Sequence, residues 1–156
     1  MLQNYKKYLL LHKNKKQKMK YSYHLITGYP VSCILIAIIW IICIIPIPET
    51  PLSDVKIIDK WTHLAMYGAL CISIWAEYLR RHQIIDKGKL FIGGVIAPIL
   101  MGGLVELAQA YCTGGNRSGD WLDFAANGIG VMVGLIAGVL LAAVMMRNRK
   151  NKMTDQ

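Results

Sequence analysis

Charge is what this sequence is short of. Aspartate and glutamate together number 9, and charged residues of all kinds make up 17% of the chain, against roughly 25% in an ordinary soluble domain. Beside 54% hydrophobic residues and a mean hydropathy of +0.37, that shortage excludes a disordered chain and argues against a water-exposed monomer. Cysteine is scarce as well: of 4 residues, Cys33, Cys43 and Cys71 fall inside apolar runs and Cys112 has no obvious partner, so neither a disulfide framework nor a zinc spacing is present. A small-residue cleavage site is missing too. The first apolar run ends Ile-Pro-Ile-Pro-Glu-Thr-Pro, so it is expected to stay as an anchor. Pro46, Pro48 and Pro51 stop that helix and stiffen the loop after it. At 156 residues the chain has room for one domain.

What is present is arranged in four apolar blocks. Residues 21–48 contain no Asp, Glu, Lys or Arg. Residues 61–79 carry only His63 and Glu77, residues 90–110 only Glu106, and residues 124–146 no charge at all, with Asn127 the one strongly polar side chain. Each block is close to the ~20 residues a helix needs to cross a bilayer. The expected fold is therefore all-α, a polytopic bundle of four transmembrane helices. Basic residues crowd the N-terminal segment (Lys6 to Lys20, with no acid), the second loop (Arg80, Arg81, Lys87, Lys89) and the tail (Arg147, Arg149, Lys150, Lys152). The first loop mixes Glu49, Asp54 and Asp59 with Lys56 and Lys60, and the third holds only Arg117 beside its acids. By the positive-inside rule both termini are cytoplasmic and the first and third loops face out. Residues 1–28 are then a basic cytoplasmic segment, 29–146 the membrane domain and 147–156 a basic cytoplasmic tail. A start at Met19 would remove six of the lysines and leave the same orientation. The net charge of +9 is accounted for by these flanks and anionic headgroups, with no nucleic acid.

With that orientation the intramembrane polar residues converge. Asp59, Lys60 and His63 lie at the outer end of the second helix, Glu106 and Gln109 in the outer turns of the third, and Arg117, Asp120, Asp123 and Asn127 before or in the first turns of the fourth. Asp59, His63 and Tyr67 share a stripe at i, i+4 and i+8, as do Asp123 and Asn127 at i, i+4. Ionisable groups in a membrane helix are costly and survive where they pair or serve a site. Asp59, Asp120 or Asp123 can instead cap a helix start. Glu106 sits near a helix C-terminus, where the dipole disfavours an anion, so it needs Arg117, Lys60 or His63 as a partner. Glu77 is expected to pair with Arg81 at i+4. Ala126, Gly130, Gly134, Gly138 and Ala142 form a small-residue ribbon suited to packing within the bundle or, alternatively, to a homodimer seam through Gly130, Gly134 and Gly138. Gly93, Gly94, Pro98, Gly102 and Gly103 make the third helix prone to kink below Glu106.

Three stretches together resemble a known family: Asp-Lys-Trp-Thr-His-Leu-Ala-Met-Tyr-Gly at 59–68, Glu-Leu-Ala-Gln at 106–109, and Arg-Ser-Gly-Asp-Trp-Leu-Asp-Phe-Ala-Ala-Asn-Gly-Ile-Gly at 117–130. In order, spacing and surrounding helices they are similar to the VanZ-like family of bacterial integral membrane proteins, over about half the chain. The resemblance implies a bacterial cytoplasmic membrane protein of the cell envelope. It implies Asp59, Lys60, His63, Tyr67, Glu106, Gln109, Arg117, Asp123, Asn127 and Gly130 as characteristic positions; Asp120 and Cys112 match less closely. The founding member is associated with low-level resistance to the glycopeptide antibiotic teicoplanin, and no reaction is established for the family.

The residues themselves admit more than one function. In an enzyme acting on envelope lipid or glycolipid headgroups, Glu106 or His63 would be general acid or base, with Asp123 orienting His63 or Lys60, while Lys60 and Arg117 would hold an anionic headgroup. Asp59, Tyr67, Gln109 and Asn127 would line the site. A non-catalytic module would use the same residues to bind a membrane lipid or lipid-linked envelope precursor. A small proton-coupled transporter would use Glu106 and His63 as a relay. No cofactor is required by any motif; a divalent cation held by Glu106, Asp120, Asp123 and His63 is compatible with the residue types.

Overall fold

The structure, a computed structural model, describes residues 26–45, 56–114 and 119–154, and among them every regular element is helical. The N-terminal lysines, the first-loop prolines and Arg117 lie outside the described residues. Helix α1 is Pro30–Ile44, α2 is Lys56–Arg81, α3 is Lys87–Cys112 with a π turn at Ile92–Ile96, and α4 is Trp121–Thr154. Helices α3 and α4 are long and apolar enough to cross a membrane. Helix α1 is apolar but only 15 residues long, and α2 has its apolar character diluted by His63, Tyr67, Trp75, Glu77 and Tyr78. Of the four expected spans, two therefore meet the requirement by length and composition. Helix α4 runs unbroken through Arg147 to Thr154, so the described part of the basic tail is the end of this helix.

Helix α2 is central. It packs along α4 and against α1 and α3, and its Tyr67, Leu70, Cys71 and Trp75 are buried with Ile39 of α1, Val105 of α3 and Val131 of α4. The small-residue ribbon of α4 faces it. A Cβ at Gly130 would be driven into the Leu64 carbonyl oxygen, one at Gly134 would lie 2.5 Å from Cys71 Cβ, and one at Gly138 would enter the Trp75 indole. The ribbon is thus covered by α2 of its own chain, which takes up the face a homodimer seam would need.

The irregularity in α3 falls at the π turn, well below Glu106. Pro98 follows it and supplies no N–H, so the Gly94 carbonyl four residues earlier has no helical donor from Pro98. Cys71 Sγ donates to that oxygen at 2.9 Å instead. A Cβ at Gly94 would lie 2.7 Å from Trp75 Nε1, so the glycine also admits the indole.

At the end opposite Glu106, side chains close the helix termini. Glu77 does not pair with Arg81; it accepts the Val31 N–H at 2.8 Å, the Ser32 N–H at 3.2 Å and the Ser32 hydroxyl at 2.6 Å, capping α1 from α2. Pairing across helices wins because free N–H groups at a helix start are stronger partners for a carboxylate than an exposed i+4 guanidinium. Arg81 instead donates to the Thr27 carbonyl. Arg149 donates to the carbonyls of Leu79, His82 and Gln83 at 2.6, 3.1 and 3.3 Å, closing the C-terminus of α2. Asp86 caps α3 through the Lys89 N–H at 3.1 Å, which together with the Lys89 ammonium holds its carboxyl below the usual range. Replacing Glu77 with alanine should cost about 1–2 kcal/mol, read as a lower melting temperature in detergent and faster proteolysis at the start of α1.

The surface inverts the usual distribution. Ile34 and Ile41 of α1, Leu100, Leu104 and Leu107 of α3, and Ile129, Ile136 and Leu140 of α4 are exposed, whereas Ser32, His63, Glu106, Gln109, Asp123 and Asn127 are buried.

Candidate functional site

The start of α2, the last turns of α3 and the start of α4 meet at one end of the molecule, and two close approaches make the meeting possible. Gly130 lets the α4 backbone touch α2 at Leu64, bringing Asn127, one turn earlier, level with His63. Gly119 lets the segment before α4 lie across α3, where a Cβ would sit 2.6 Å from the Glu106 carbonyl oxygen.

Two linked clusters result. In the outer one, Lys60 Nζ lies 2.9 Å from Asp120 Oδ2 and 2.9 Å from Asp123 Oδ1. Asp120 also caps α4, its Oδ1 accepting the Leu122 N–H at 2.9 Å, so the capping and ion-pair roles coexist in one side chain. In the inner one, His63 Nδ1 lies 2.9 Å from Asn127 Oδ1, and Asn127 Nδ2 donates to Glu106 Oε1 at 3.4 Å. Glu106 Oε2 accepts the Asp120 N–H at 3.1 Å, which joins the clusters. Relative exposures of 1% for His63, 8% for Glu106 and 0% for Asn127 put this chain of bonds in the interior, where each group must be satisfied by protein.

Asn127 spans the two ionisable groups, its Oδ1 toward the His63 ring and its Nδ2 donating to Glu106 Oε1. The other ring nitrogen, Nε2, faces Asp59, whose Oδ1 is 3.9 Å away. His63 Nδ1 is also 3.8 Å from Glu106 Oε1. A histidine held through one ring nitrogen with a carboxylate near the other is an arrangement found in general bases and metal ligands alike.

Asp59, Lys60, His63, Glu106, Asp120, Asp123 and Asn127 are thus brought together. Gln109 is not: its Nε2 donates to the Cys43 carbonyl at 3.0 Å, tying α3 to α1. Tyr67 lies a turn below the cluster with its ring against Gly102, which also makes room for Asn127. The Tyr67 hydroxyl and Gln109 Oε1 are buried without a hydrogen bond among the described residues. Lys60 is engaged by two carboxylates, so the part of headgroup clamp expected of it is taken over by pairing with Asp120 and Asp123. The cation ligand set also changes. Among the described residues the atoms within 4.8 Å of one another belong to Asp59, His63 and Asp123, while Glu106 and Asp120 are turned to other partners.

Sequence reasoning missed a ring of aromatics at this same end. Trp61 of α2, Tyr111 of α3 and Trp121 of α4 are 64%, 83% and 84% exposed. Their signal was available: each stands within a few residues of a site side chain on an otherwise apolar helix end, the placement of interfacial aromatics. Searches against family models, curated proteins and solved structures return no match to this chain.

Proposed function

We propose that this is a multi-pass protein of the bacterial cytoplasmic membrane, VanZ-like in kind, built on four membrane-embedded helices with both termini inside. Its outer-face site binds the polar head of an envelope lipid or lipid-linked precursor. The observation that carries this reading is the coincidence of the buried charged network with the exposed ring of Trp61, Tyr111 and Trp121 at one end of an apolar-surfaced bundle. Aromatics at that level mark a membrane–water boundary, so the site lies where headgroups are, below bulk water and above the acyl chains. The inverted surface supports the membrane setting, and the basic residues at the opposite end support the orientation.

Lys60 is shared by Asp120 and Asp123, and His63 and Glu106 are joined through Asn127, so the site offers both a cation and carboxylates to the polar head of a lipid. Altered glycopeptide susceptibility would follow from the occupancy or modification of such lipids.

Two measurements test this. Cys112 is exposed at the site end of α3 while Cys43 and Cys71 are buried, so an impermeant maleimide should label Cys112 on intact cells; labelling only after permeabilisation reverses the orientation. Mass spectrometry of protein purified in mild detergent should find one polar-lipid class enriched. Asp59→Asn should lower it about tenfold or more, since a contact to a charged group is worth about 1.5–3 kcal/mol. Retention of an unselected lipid mixture, unchanged in the variant, overturns the reading.

A further inference from the structure

We propose a buried hydroxyl-binding site between α1, α2 and α3, on the α1 side of the network that joins His63, Asn127 and Glu106. In it Tyr67 and Gln109 together hold one O–H group, supplied by a water molecule or by a hydroxyl of the lipid head.

A pair of orphaned polar atoms carries the proposal. The Tyr67 hydroxyl and Gln109 Oε1 are buried with no hydrogen-bond partner among the described residues, on side chains 0% and 2% exposed. A native interior seldom leaves such groups unpaired, because each gives up its hydration for nothing in return. Trp75 Nε1 is in the same condition, but it lies about two turns deeper along α2, against Gly94, and belongs to a different place.

Tyr67 and Gln109 converge by helix geometry. The Tyr67 ring rests on Gly102, where a Cβ would lie 3.4 Å from its Cε1. Gln109 is seven residues further along the same buried face of α3, a rise of about 10 Å. Side chains lean towards the N-terminus of their own helix. Because α2 begins and α3 ends at the outer-face site, Tyr67 leans towards the level of Gln109 and Gln109 leans back towards that of Tyr67. Cys43 of α1 is their common neighbour. Its carbonyl accepts from Gln109 Nε2 at 3.0 Å, and the Tyr67 hydroxyl lies within electrostatic reach of Cys43 and of Glu106. The two orphans make no bond to each other; one oxygen between them, at hydrogen-bond distance from each, would bridge a gap of up to about 5–6 Å.

The polarity of the pair selects the occupant. The Cys43 carbonyl only accepts, so Gln109 turns its NH2 there and leaves Oε1 as a pure acceptor. The occupant must therefore donate to Gln109 while accepting the Tyr67 proton. A hydroxyl does both. An ammonium has no lone pair for Tyr67, and an ionised phosphate oxygen has no proton for Gln109.

Tyr67→Phe in the full chain tests the site, since it removes one oxygen and keeps the ring packing. A hydroxyl bound to an occupant makes the variant melt about 2–4 °C lower than wild type, whereas an orphaned hydroxyl is better lost and the variant would melt at the same temperature or higher. Melting is compared in lipid-free lauryldimethylamine oxide, which carries no hydroxyl, and in nanodiscs of phosphatidylcholine or phosphatidylglycerol, whose heads respectively lack and carry hydroxyls. A deficit already present in lipid-free detergent identifies water; one that appears only in phosphatidylglycerol identifies a headgroup hydroxyl. Combined with Gln109→Leu, the double variant should lose less than the sum of the single losses, because either change releases the shared occupant. No deficit for Tyr67→Phe in either the detergent or phosphatidylglycerol, or strictly additive losses, overturns the site. Only the phosphatidylglycerol arm rests on the outer-face reading proposed above, so a deficit in lipid-free detergent upholds this site even where no lipid class is enriched.

Discussion

Replacing Gly130 with alanine should cost this protein about 1–3 kcal/mol, toward the upper end of what overpacking a rigid contact exacts, and should lower its melting temperature in detergent and its abundance in the membrane. The new Cβ would be driven into the Leu64 carbonyl oxygen, with the Gly68 backbone nitrogen 3.1 Å away. Both neighbours are backbone, so no rotamer change relieves the clash and α2 and α4 must separate. Separation acts on the site as well, since His63 and Asn127 are held together by the same crossing. Gly128 is the matched control: it lies in the same helix with nothing within 4 Å of its would-be Cβ. Gly128→Ala should therefore be neutral or stabilising by up to about 1 kcal/mol, through helix propensity alone. Equal losses in the two variants would show that the α2–α4 crossing is looser than described.

Asn127→Leu should be the most damaging nearly isosteric change in the site, at about 3–5 kcal/mol. The side chain is 0% exposed and serves two buried groups at once. Removing it leaves His63 Nδ1 without its Asn127 partner and Glu106 Oε1 without its amide donor. Each orphaned buried polar group costs about 1–3 kcal/mol, more where a charge is involved. Gln109→Leu provides the contrast. It deletes a bond to the Cys43 carbonyl together with an Oε1 that has no hydrogen bond among the described residues, so about 1 kcal/mol or less is expected. Thermal unfolding of both variants in one detergent checks the ordering; a Gln109→Leu loss as large as that of Asn127→Leu would mean the inner cluster carries no special weight.

How much of this was legible beforehand varies residue by residue. The helical blocks, the gathering of His63, Glu106 and Asp123 at one end and the packing ribbon through Gly130, Gly134 and Gly138 could be read from hydropathy and spacing, because both are properties of a helix taken alone. Gln109 could not be placed. Three residues after Glu106 it shares the broad face of α3, yet its rotation about the axis carries it to α1. Glu77 was misread for a related reason: the i+4 rule sees only its own helix, whereas its partners are N–H groups of α1, more than forty residues away in the chain. The aromatic ring at the site end was visible in the letters and overlooked, since Trp61, Tyr111 and Trp121 are unremarkable until three helix ends are known to be level.

The sequence by itself determined that the chain is helical, that it carries long apolar helices, and that His63, Glu106 and Asp123 collect at one end. Periodicity and hydropathy suffice for this because they specify each helix's length and its apolar character. Only the tertiary structure decided which charges meet. Lys60 goes to Asp120 and Asp123 rather than to Glu106, His63 reaches Glu106 through Asn127, and the other ring nitrogen of His63 is left facing Asp59. Those choices turn on helix azimuth and on approaches of an ångström or so at Gly119 and Gly130. Hydrogen bonds discriminate at that scale, and a pattern along one dimension does not contain it.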